Sequence, residues 1–171
     1  MKLPRADSEL YRLMTRFPRE GRVQWIGLRP ARDAGMREVK EAEAVAGAGL
    51  CGDRYMLAKA GAGSGKRGIT LVQAEHLPVI ASLAGLGNIA PARLRRNLVI
   101  AGIPLIALKG VHFRVGEVLL EGTDPCDPCS RMEDALGAGG YNAMRGMGGL
   151  CARILEGGTL RVGDAVQAMP A

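Results

Sequence analysis

The sequence predicts a mainly β domain, folded as a closed or nearly closed β-barrel with a few short inserted helices. The chain has 171 residues with 25 glycines and six aromatic residues, and short apolar runs alternate with glycine turns, as in β domains with many tight turns. Parallel βαβ packing needs repeated strand–helix alternation, which only residues 69–100 offer. We expect one domain over residues 21–168 after an N-terminal helical extension over residues 1–20.

An N-terminal helix is predicted over residues 7–17, because apolar residues recur there at helical spacing. Asp7 or Ser8 would serve as its N-cap, and Pro18 would end it. A second helix over residues 73–84 should follow a short β-branched strand. Two further short helices are predicted, over residues 90–95 and 130–136.

The strands are predicted from alternating or β-branched runs bounded by glycine, proline and polar residues. Residues 111–113 and 117–122 should pair as a hairpin around Gly116. Glycine-containing turns at residues 157–158 and 163–164 should separate the last three strands. The remaining strands are expected over residues 21–28, 37–46, 69–72, 97–100, 150–155, 159–162 and 165–168.

Composition narrows the class of partner. The net charge of +6 implies affinity for an anion, but the arginines are dispersed and few aromatic rings are available to stack on bases, which disfavours nucleic acid. A small phosphorylated ligand or an acidic protein fits at least as well, and dispersed solvating charge is the simplest alternative. No apolar run approaches the roughly 20 residues of a membrane span, and no signal-peptide core is present. We therefore expect a cytoplasmic protein without membrane contact.

The stretch from Cys126 to Cys129 is the most informative in the chain, because it connects a strand-like run to a helix-like run. A thiol at such a junction meets unpaired backbone N–H groups and the positive end of the helix dipole. Both favour the thiolate, which attacks electrophiles and binds soft metals. Cys126 could act as a resolving thiol or simply pack in the loop. In a reducing compartment all four cysteines should be free thiols.

Two other interpretations of the Cys-x-x-Cys pair are disfavoured. A structural zinc site needs four ligands, whereas the other candidates are isolated from one another. A thioredoxin-like redox pair would need a surrounding βαβ pattern. The isolated candidates are Cys51, Cys151, His76 and His112.

Residues 61–67 resemble a phosphate-binding P-loop but do not satisfy its pattern. The required first glycine would stand at position 60, which is alanine, and Arg67 rather than Ser or Thr follows Lys66. We expect a flexible loop, acting as a lid whose Lys66 and Arg67 add positive charge near a pocket.

Seven short motifs stand in a fixed order: GLCGDR at 49–54, ITLV at 69–72 followed by Glu75, RRNLVIAG at 95–102, GEVLLE at 116–121, PCDPC at 125–129, GGLCAR at 148–153 and LRVGD at 160–164. The ordered set resembles the MOSC domain, named from the C-terminal domain of molybdenum cofactor sulfurase. The resemblance covers residues 20–168. It implies a mainly β, barrel-like fold that handles the molybdenum cofactor, a pterin with a dithiolene and a terminal phosphate.

The resemblance also implies site residues. In relatives such as the mitochondrial amidoxime reducing component an invariant cysteine ligates molybdenum, and its place in the Cys-x-x-Cys pattern matches Cys129, with Cys126 as a second catalytic candidate. The family's Arg-Asn segment near the cofactor matches Arg96 and Asn97. Strand alternation would place Arg95 on the opposite face, in solvent. Further cofactor-binding candidates are Thr70, Arg131 and Arg153.

Two activities follow from the resemblance: sulfur transfer through Cys129, or reduction of N-hydroxylated small molecules at a metal that Cys129 ligates. The chain has no room for the pyridoxal-phosphate-binding desulfurase domain or the ferredoxin domain of larger relatives. A cysteine desulfurase or an electron-donor reductase would therefore be a separate protein. The alternatives are a non-catalytic cofactor carrier and a persulfide carrier that never holds molybdenum.

Overall fold

The computed structural model describes residues 4–58 and 65–169. Within these ranges five short helices occur: α1 (Glu9–Thr15), α2 (Arg54–Ala58), α3 (His76–Leu83), α4 (Ser130–Leu136) and α5 (Gly140–Met144). The strands are β1 (Gly21–Leu28), β2 (Arg37–Val39), β3 (Glu41–Val45), β4 (Gly49–Leu50), β5 (Ile69–Gln73), β6 (Leu98–Ala101), β7 (His112–Val115), β8 (Val118–Pro125), β9 (Leu150–Glu156), β10 (Gly158–Arg161) and β11 (Ala165–Met169). Two 3-10 helices cover Pro91–Leu94 and Leu105–Leu108.

The predicted barrel is confirmed. Seven strands follow one another in the order β11-β7-β8-β9-β5-β6-β1, and pairing of Gly21 with Val166 closes the ring between β1 and β11. Among these seven strands β5 and β6 form the one parallel pair, in the stretch where the sequence offers strand–helix–strand alternation. Strand β2 continues the sheet beyond β1, and β10, β3 and β4 form a separate small sheet.

Two apolar clusters hold the fold. Alternating residues of the barrel strands fill its interior, where Phe113 is fully buried, as expected for inward-facing positions of a small barrel. The second cluster lies on the outer face of β5 and β6, where Val72 and Val99 pack against Ile80 of α3 and Met132 of α4. This outer cluster fixes α4, and with it the residues that begin the helix, against the ends of β5 and β6.

Several predicted boundaries shift. The strand expected over residues 37–46 divides at Lys40, because β2 pairs with β1 whereas β3 pairs with β10. The helix expected over residues 73–84 begins at His76, since Gln73 still belongs to β5 and its side chain accepts a hydrogen bond from the Leu105 N–H. Helix α5 lies in a glycine-rich stretch for which no helix was predicted.

The N-terminal helix is confirmed as α1, and Ser8 rather than Asp7 caps it by accepting from the Tyr11 N–H. The predicted loop over residues 61–67 lies partly outside the described residues, which resume at residue 65. In the described part of the chain, none of the helices combines the length and apolar character needed to cross a bilayer.

Candidate functional site

Six arginine side chains converge on one cavity of about 270 Å³, here called the arginine cavity. It lies where the chain enters the parallel pair β5 and β6, beside the start of α4. Among its described lining residues Asp127 is the only carboxylate, so positive charge dominates and an anion is the ligand that fits. The lining residues are Arg29, Arg54, Tyr55, Arg67, Thr70, Arg95, Arg96, Asp127, Cys129, Arg131 and Met132.

Arg29 has an unmet hydrogen-bonding requirement at this cavity. Its Nε–H is buried and finds no partner among the described residues, although such donors are normally paired. Burial lowers the pKa of Arg29, the nearby Asp53 carboxylate opposes this, and Arg95 and Arg54 lower it further by repulsion. An anion in the cavity would reduce the repulsion between these arginines and would accept a hydrogen bond from the Arg29 Nε–H.

Cys129 is exposed and stands at the N-cap of α4. It lines the arginine cavity and also a neighbouring space of about 390 Å³, here called the cysteine cavity. Because α4 has only seven residues and the Cys129 side chain makes no capping hydrogen bond, the arginines rather than a long helix dipole supply its positive surroundings. The cysteine cavity is lined by Lys66, Arg67, Asp124, Pro125, Asp127, Pro128, Cys129 and Cys151.

Cys126 is buried, being 1% exposed. Its sulfur accepts a hydrogen bond from Arg67, with Nη2 and Sγ 3.1 Å apart. A hydrogen bond from Cys151 lowers the pKa of Cys126 well below the ordinary thiol value; burial opposes this, and the charges of Arg96 and Arg67 assist it. The same hydrogen bond raises the pKa of Cys151. Within this pair a negative charge is therefore favoured on Cys126 rather than on Cys151.

Arg96, predicted to bind the cofactor phosphate, is mainly engaged within the protein. Its guanidinium donates to the carbonyls of Gly148 (2.8 Å), Leu94 (2.9 Å) and Cys126 (2.8 Å), with a longer contact to Asp127 (3.4 Å). Four of its five N–H groups are used. Arg96 therefore fixes the loop that carries the cysteines and adds its charge to the cavity, with one N–H left for a ligand.

Asn97 is likewise used inside the protein. Its Oδ1 accepts from the backbone N–H and the hydroxyl of Thr70, and its Nδ2 donates to the Gly27 carbonyl and to Asp53. Asn97 lies outside the cavity lining, so the expected contact with a pterin edge has no free amide group to make it. Thr70 does line the cavity, held there by Asn97.

The other two arginines predicted to bind the cofactor, Arg131 and Arg153, differ in position: the first lines the arginine cavity and the second does not. Arg131 lines the arginine cavity while donating to the Arg32 carbonyl and pairing with Asp33 at 3.2 Å. Arg153 lies outside it, because it faces Glu121 across the β8–β9 pair and forms an ion pair with it at 3.1 Å. The Glu121 carboxylate thus compensates the charge of Arg153, which does not contribute to the arginine cavity.

Sequence reasoning missed Arg29, Arg54 and Tyr55, and it placed Arg95 in solvent. Arg95 does not belong to a strand: it has a left-handed conformation with φ 58°, which lets it line the cavity beside Arg96. Arg54 stands in the motif at residues 49–54, so that motif carried a usable signal. Arg29 stands in no such motif.

The described residues contain no group of three or more His, Cys, Asp or Glu side chains placed to hold a metal ion. Cys129 alone would be a single ligand. A metal at this site would need its other ligands from a bound small molecule.

The fold and the site define a small β-barrel protein with an exposed thiol beside a basic cavity. The chain belongs to the MOSC domain family, whose model matches residues 58–167. None of the curated proteins matches it in sequence.

Solved structures agree on the fold. The YuaD protein from Bacillus subtilis is similar with a TM-score of 0.77 and 19% identity, covering 91% of this chain and 100% of its own. YiiM from Escherichia coli has a TM-score of 0.67 and 20% identity, covering 90% and 71%. YiiM from Geobacillus stearothermophilus has a TM-score of 0.69 and 15% identity, covering 87% and 75%. At these identities the likeness establishes the shared fold.

Proposed function

We propose that this protein binds the molybdenum cofactor in the arginine cavity, with the Cys129 thiolate as a ligand of the metal. The observation that carries the proposal is the convergence of six arginines and one exposed thiol on the same cavity. The cofactor's phosphate and dithiolene are anionic, and guanidinium groups match phosphate oxygens in charge and geometry. The unpaired Nε–H of Arg29 adds a donor that a phosphate oxygen would satisfy.

The available space also supports the proposal. The arginine cavity of about 270 Å³ shares Arg67, Asp127 and Cys129 with the cysteine cavity of about 390 Å³. A third space of about 500 Å³ shares Arg95 and Arg131 with the arginine cavity. The cysteine cavity and this third space each lie within the usual range of ligand sites, roughly 300–1,000 Å³, and the arginine cavity is slightly smaller. These volumes would accommodate a pterin-sized ligand, whose metal Cys129 would then ligate.

The residues would divide the work as follows. Arg29, Arg54 and Arg95 would hold the phosphate, because each lines the cavity on the side of the barrel strands and loops. Arg131 would neutralise charge on the side of α4. The bound cofactor would supply a redox-active metal with sulfur ligands, and Cys129 would complete its coordination. Arg96 would keep the cysteine loop in place.

Such a site suits the two activities that the family resemblance implies. In one, Cys129 carries sulfur to the cofactor, delivered by a separate desulfurase. In the other, a separate reductase supplies electrons and an N-hydroxylated small molecule is reduced. A non-catalytic carrier would use the same residues without turnover. The exposure of Cys129 on the cavity rim favours all three, since donor and substrate must reach the sulfur.

A persulfide carrier without molybdenum is the second candidate. Cys129 and Cys151 line the same cavity with Cys126 directly behind, and a thiolate can accept and hold a sulfane sulfur. This candidate needs no pterin, so the two differ in what remains bound after purification.

The test is metal and pterin analysis of protein produced in a host that makes the cofactor. Wild type should retain molybdenum and pterin together, and Cys129→Ser should lose most of the molybdenum. Cys51→Ser is the matched control, because Cys51 lies outside both cavities. Wild-type protein free of molybdenum but carrying cyanide-labile sulfur on Cys129 would replace the proposal with the persulfide carrier. Turnover of an N-hydroxylated substrate with a supplied reductant separates an enzyme from a carrier.

A further inference from the structure

We propose that Cys126 and Cys151 form a redox-active thiol pair that closes to a disulfide under oxidation by a hydroperoxide, and that closure releases Arg67 to the anion-binding cavities. Both cysteines are buried, and each thiol is near enough to shift the pKa of the other. Their backbones are adjacent, since Pro125 pairs with Leu150 and the Cys126 N–H donates to the Gly149 carbonyl at 2.9 Å. Cys151 lies in β9 and Cys126 directly follows β8, so two hydrogen-bonded strands position the pair without a bound cofactor.

Access to the pair is selective. Cys151 is 5% exposed but lines the cysteine cavity together with the exposed Cys129. A cavity of about 390 Å³ admits a molecule the size of water or hydrogen peroxide, whereas bulky thiol reagents would meet Cys129 first. Cys126 is not part of this lining, but Arg67, which donates to its sulfur, and Cys151 both are.

The two sulfurs are chemically unequal, as the reaction requires. Arg67 donates to the Cys126 sulfur, and the neighbouring Cys151 thiol lowers the pKa of Cys126, so Cys126 is the thiolate and the nucleophile. Cys151 keeps its proton. The arrangement therefore provides one attacking sulfur and one resolving thiol on adjacent, hydrogen-bonded segments.

The reaction balances with a hydroperoxide as the two-electron oxidant. The Cys126 thiolate attacks a peroxide oxygen: an S–O bond forms, the O–O bond breaks, and the departing hydroxide takes a proton from solvent. Cys151 then attacks the sulfenic sulfur, so that an S–S bond forms, the S–O bond breaks, and the hydroxide leaves as water with the Cys151 proton. One thiolate, one thiol, one hydrogen peroxide and one proton give one disulfide and two water molecules. An external dithiol reverses the change.

Closure changes the charge at the site. Before oxidation Arg67 donates to the Cys126 thiolate, and it also lines both the arginine cavity and the cysteine cavity. The disulfide has no negative charge to hold this guanidinium. The cavities therefore gain one net positive charge, and an anion should bind more tightly to the oxidised protein.

Peptide mapping tests the disulfide directly. Reduced protein is treated with one equivalent of hydrogen peroxide, alkylated and digested with trypsin without reduction. Cys126 and Cys129 fall in the peptide of residues 115–131, and Cys151 falls in that of residues 146–153. We expect a cross-link between these peptides that persists in Cys129→Ser and Cys51→Ser but is lost in Cys126→Ser. A disulfide within peptide 115–131, or sulfinic acid on Cys126 without a cross-link, would overturn the assignment.

Calorimetric titration with inorganic phosphate tests the coupling to Arg67. In the Cys129→Ser background, which excludes the exposed thiol, oxidation should lower the Kd for phosphate by about threefold or more, the effect of one unit charge at high effective dielectric. Arg67→Gln should reduce the difference between the two redox states, because the guanidinium that oxidation releases is then absent. An equal phosphate Kd before and after oxidation would refute the release of Arg67. Because no pterin is present, this result is independent of whether the protein binds the molybdenum cofactor.

Discussion

Replacing Arg96 by alanine should destabilise the whole fold, and not only weaken ligand binding. Arg96 is 5% exposed, and its guanidinium donates to three carbonyls at 2.8–2.9 Å, those of Gly148, Leu94 and Cys126. These carbonyls belong to three different segments. Removing the side chain leaves all three without their donor and also leaves a space that Gly148 cannot fill.

The magnitude follows from the number of bonds lost. A buried acceptor that loses its partner costs roughly 1–3 kcal/mol. Water can enter from the cavity side and satisfy part of the requirement, so we take the lower end for each carbonyl and expect a loss of about 3–4 kcal/mol. For a chain of this size about 1 kcal/mol shifts Tm by ~2–4 °C. The expected decrease in Tm is therefore about 6–16 °C.

Thermal and urea unfolding measure this loss, with Arg95→Ala as the matched control. Arg95 is the neighbouring arginine and donates to only two carbonyls, at 3.0 and 3.2 Å, from a partly exposed position. Its replacement should cost about 1 kcal/mol or less. Equal losses in the two variants, or a loss of cofactor affinity in Arg96→Ala at unchanged stability, would return Arg96 to the role of a phosphate ligand.

Two further predictions concern the cysteine loop. Gly148→Ala would place a Cβ 2.1 Å from the Cys126 carbonyl oxygen, so the loop must shift, and thermal unfolding should show a loss of stability of about 1–3 kcal/mol. The control is Gly35→Ala, where a Cβ meets nothing within 4 Å and Tm should change little. Equal Tm values for the two variants would contradict the packing argument. The second prediction concerns pH. The lowered pKa of Cys126 contributes stability that is lost as pH falls through that lowered pKa. The raised pKa of Cys151 contributes stability that is lost as pH rises above the ordinary thiol pKa of about 8.5. Unfolding free energy should therefore rise with pH to a maximum near about 8.5 and then fall, and a Cys126→Ser variant that keeps the rise would show that this thiol is not the ionised one.

The fold was largely predictable because strand and turn signals are local. The alternating runs and glycine turns predicted the barrel. The parallel pair β5 and β6 lies in the stretch where the sequence offers strand–helix–strand alternation, but it was not itself predicted. The division of residues 37–46 at Lys40 was not predictable, since it depends on which distant strands pair with each half. Helix α5 was missed because its glycine-rich sequence carries no helical pattern, and packing against α4 decides it.

The sequence indicated a cysteine and arginines as site candidates, but not which contacts each arginine makes. A motif can single out Cys129 as a candidate, because the Cys-x-x-Cys pattern occurs once in the chain. It cannot tell which arginine faces a ligand and which one satisfies backbone carbonyls, since that depends on the contacts of each guanidinium. Arg96 and Asn97 were chosen by position, whereas Arg29 reaches the cavity from the end of β1, where nothing in the local sequence marks it.

The two uses of arginine at this site reinforce each other. A carbonyl satisfies the hydrogen-bonding requirement of a guanidinium but leaves its charge uncompensated, so the buried Arg96 adds to the positive potential while it holds the cysteine loop. Arg29 has the opposite deficiency: Asp53 offsets part of its charge at 3.8 Å, yet its Nε–H lacks an acceptor. A single anion with several oxygen atoms supplies what both lack, charge for the first and an acceptor for the second. Repulsion among these arginines is a folding cost, and we expect it to favour anions over neutral ligands in the cavity.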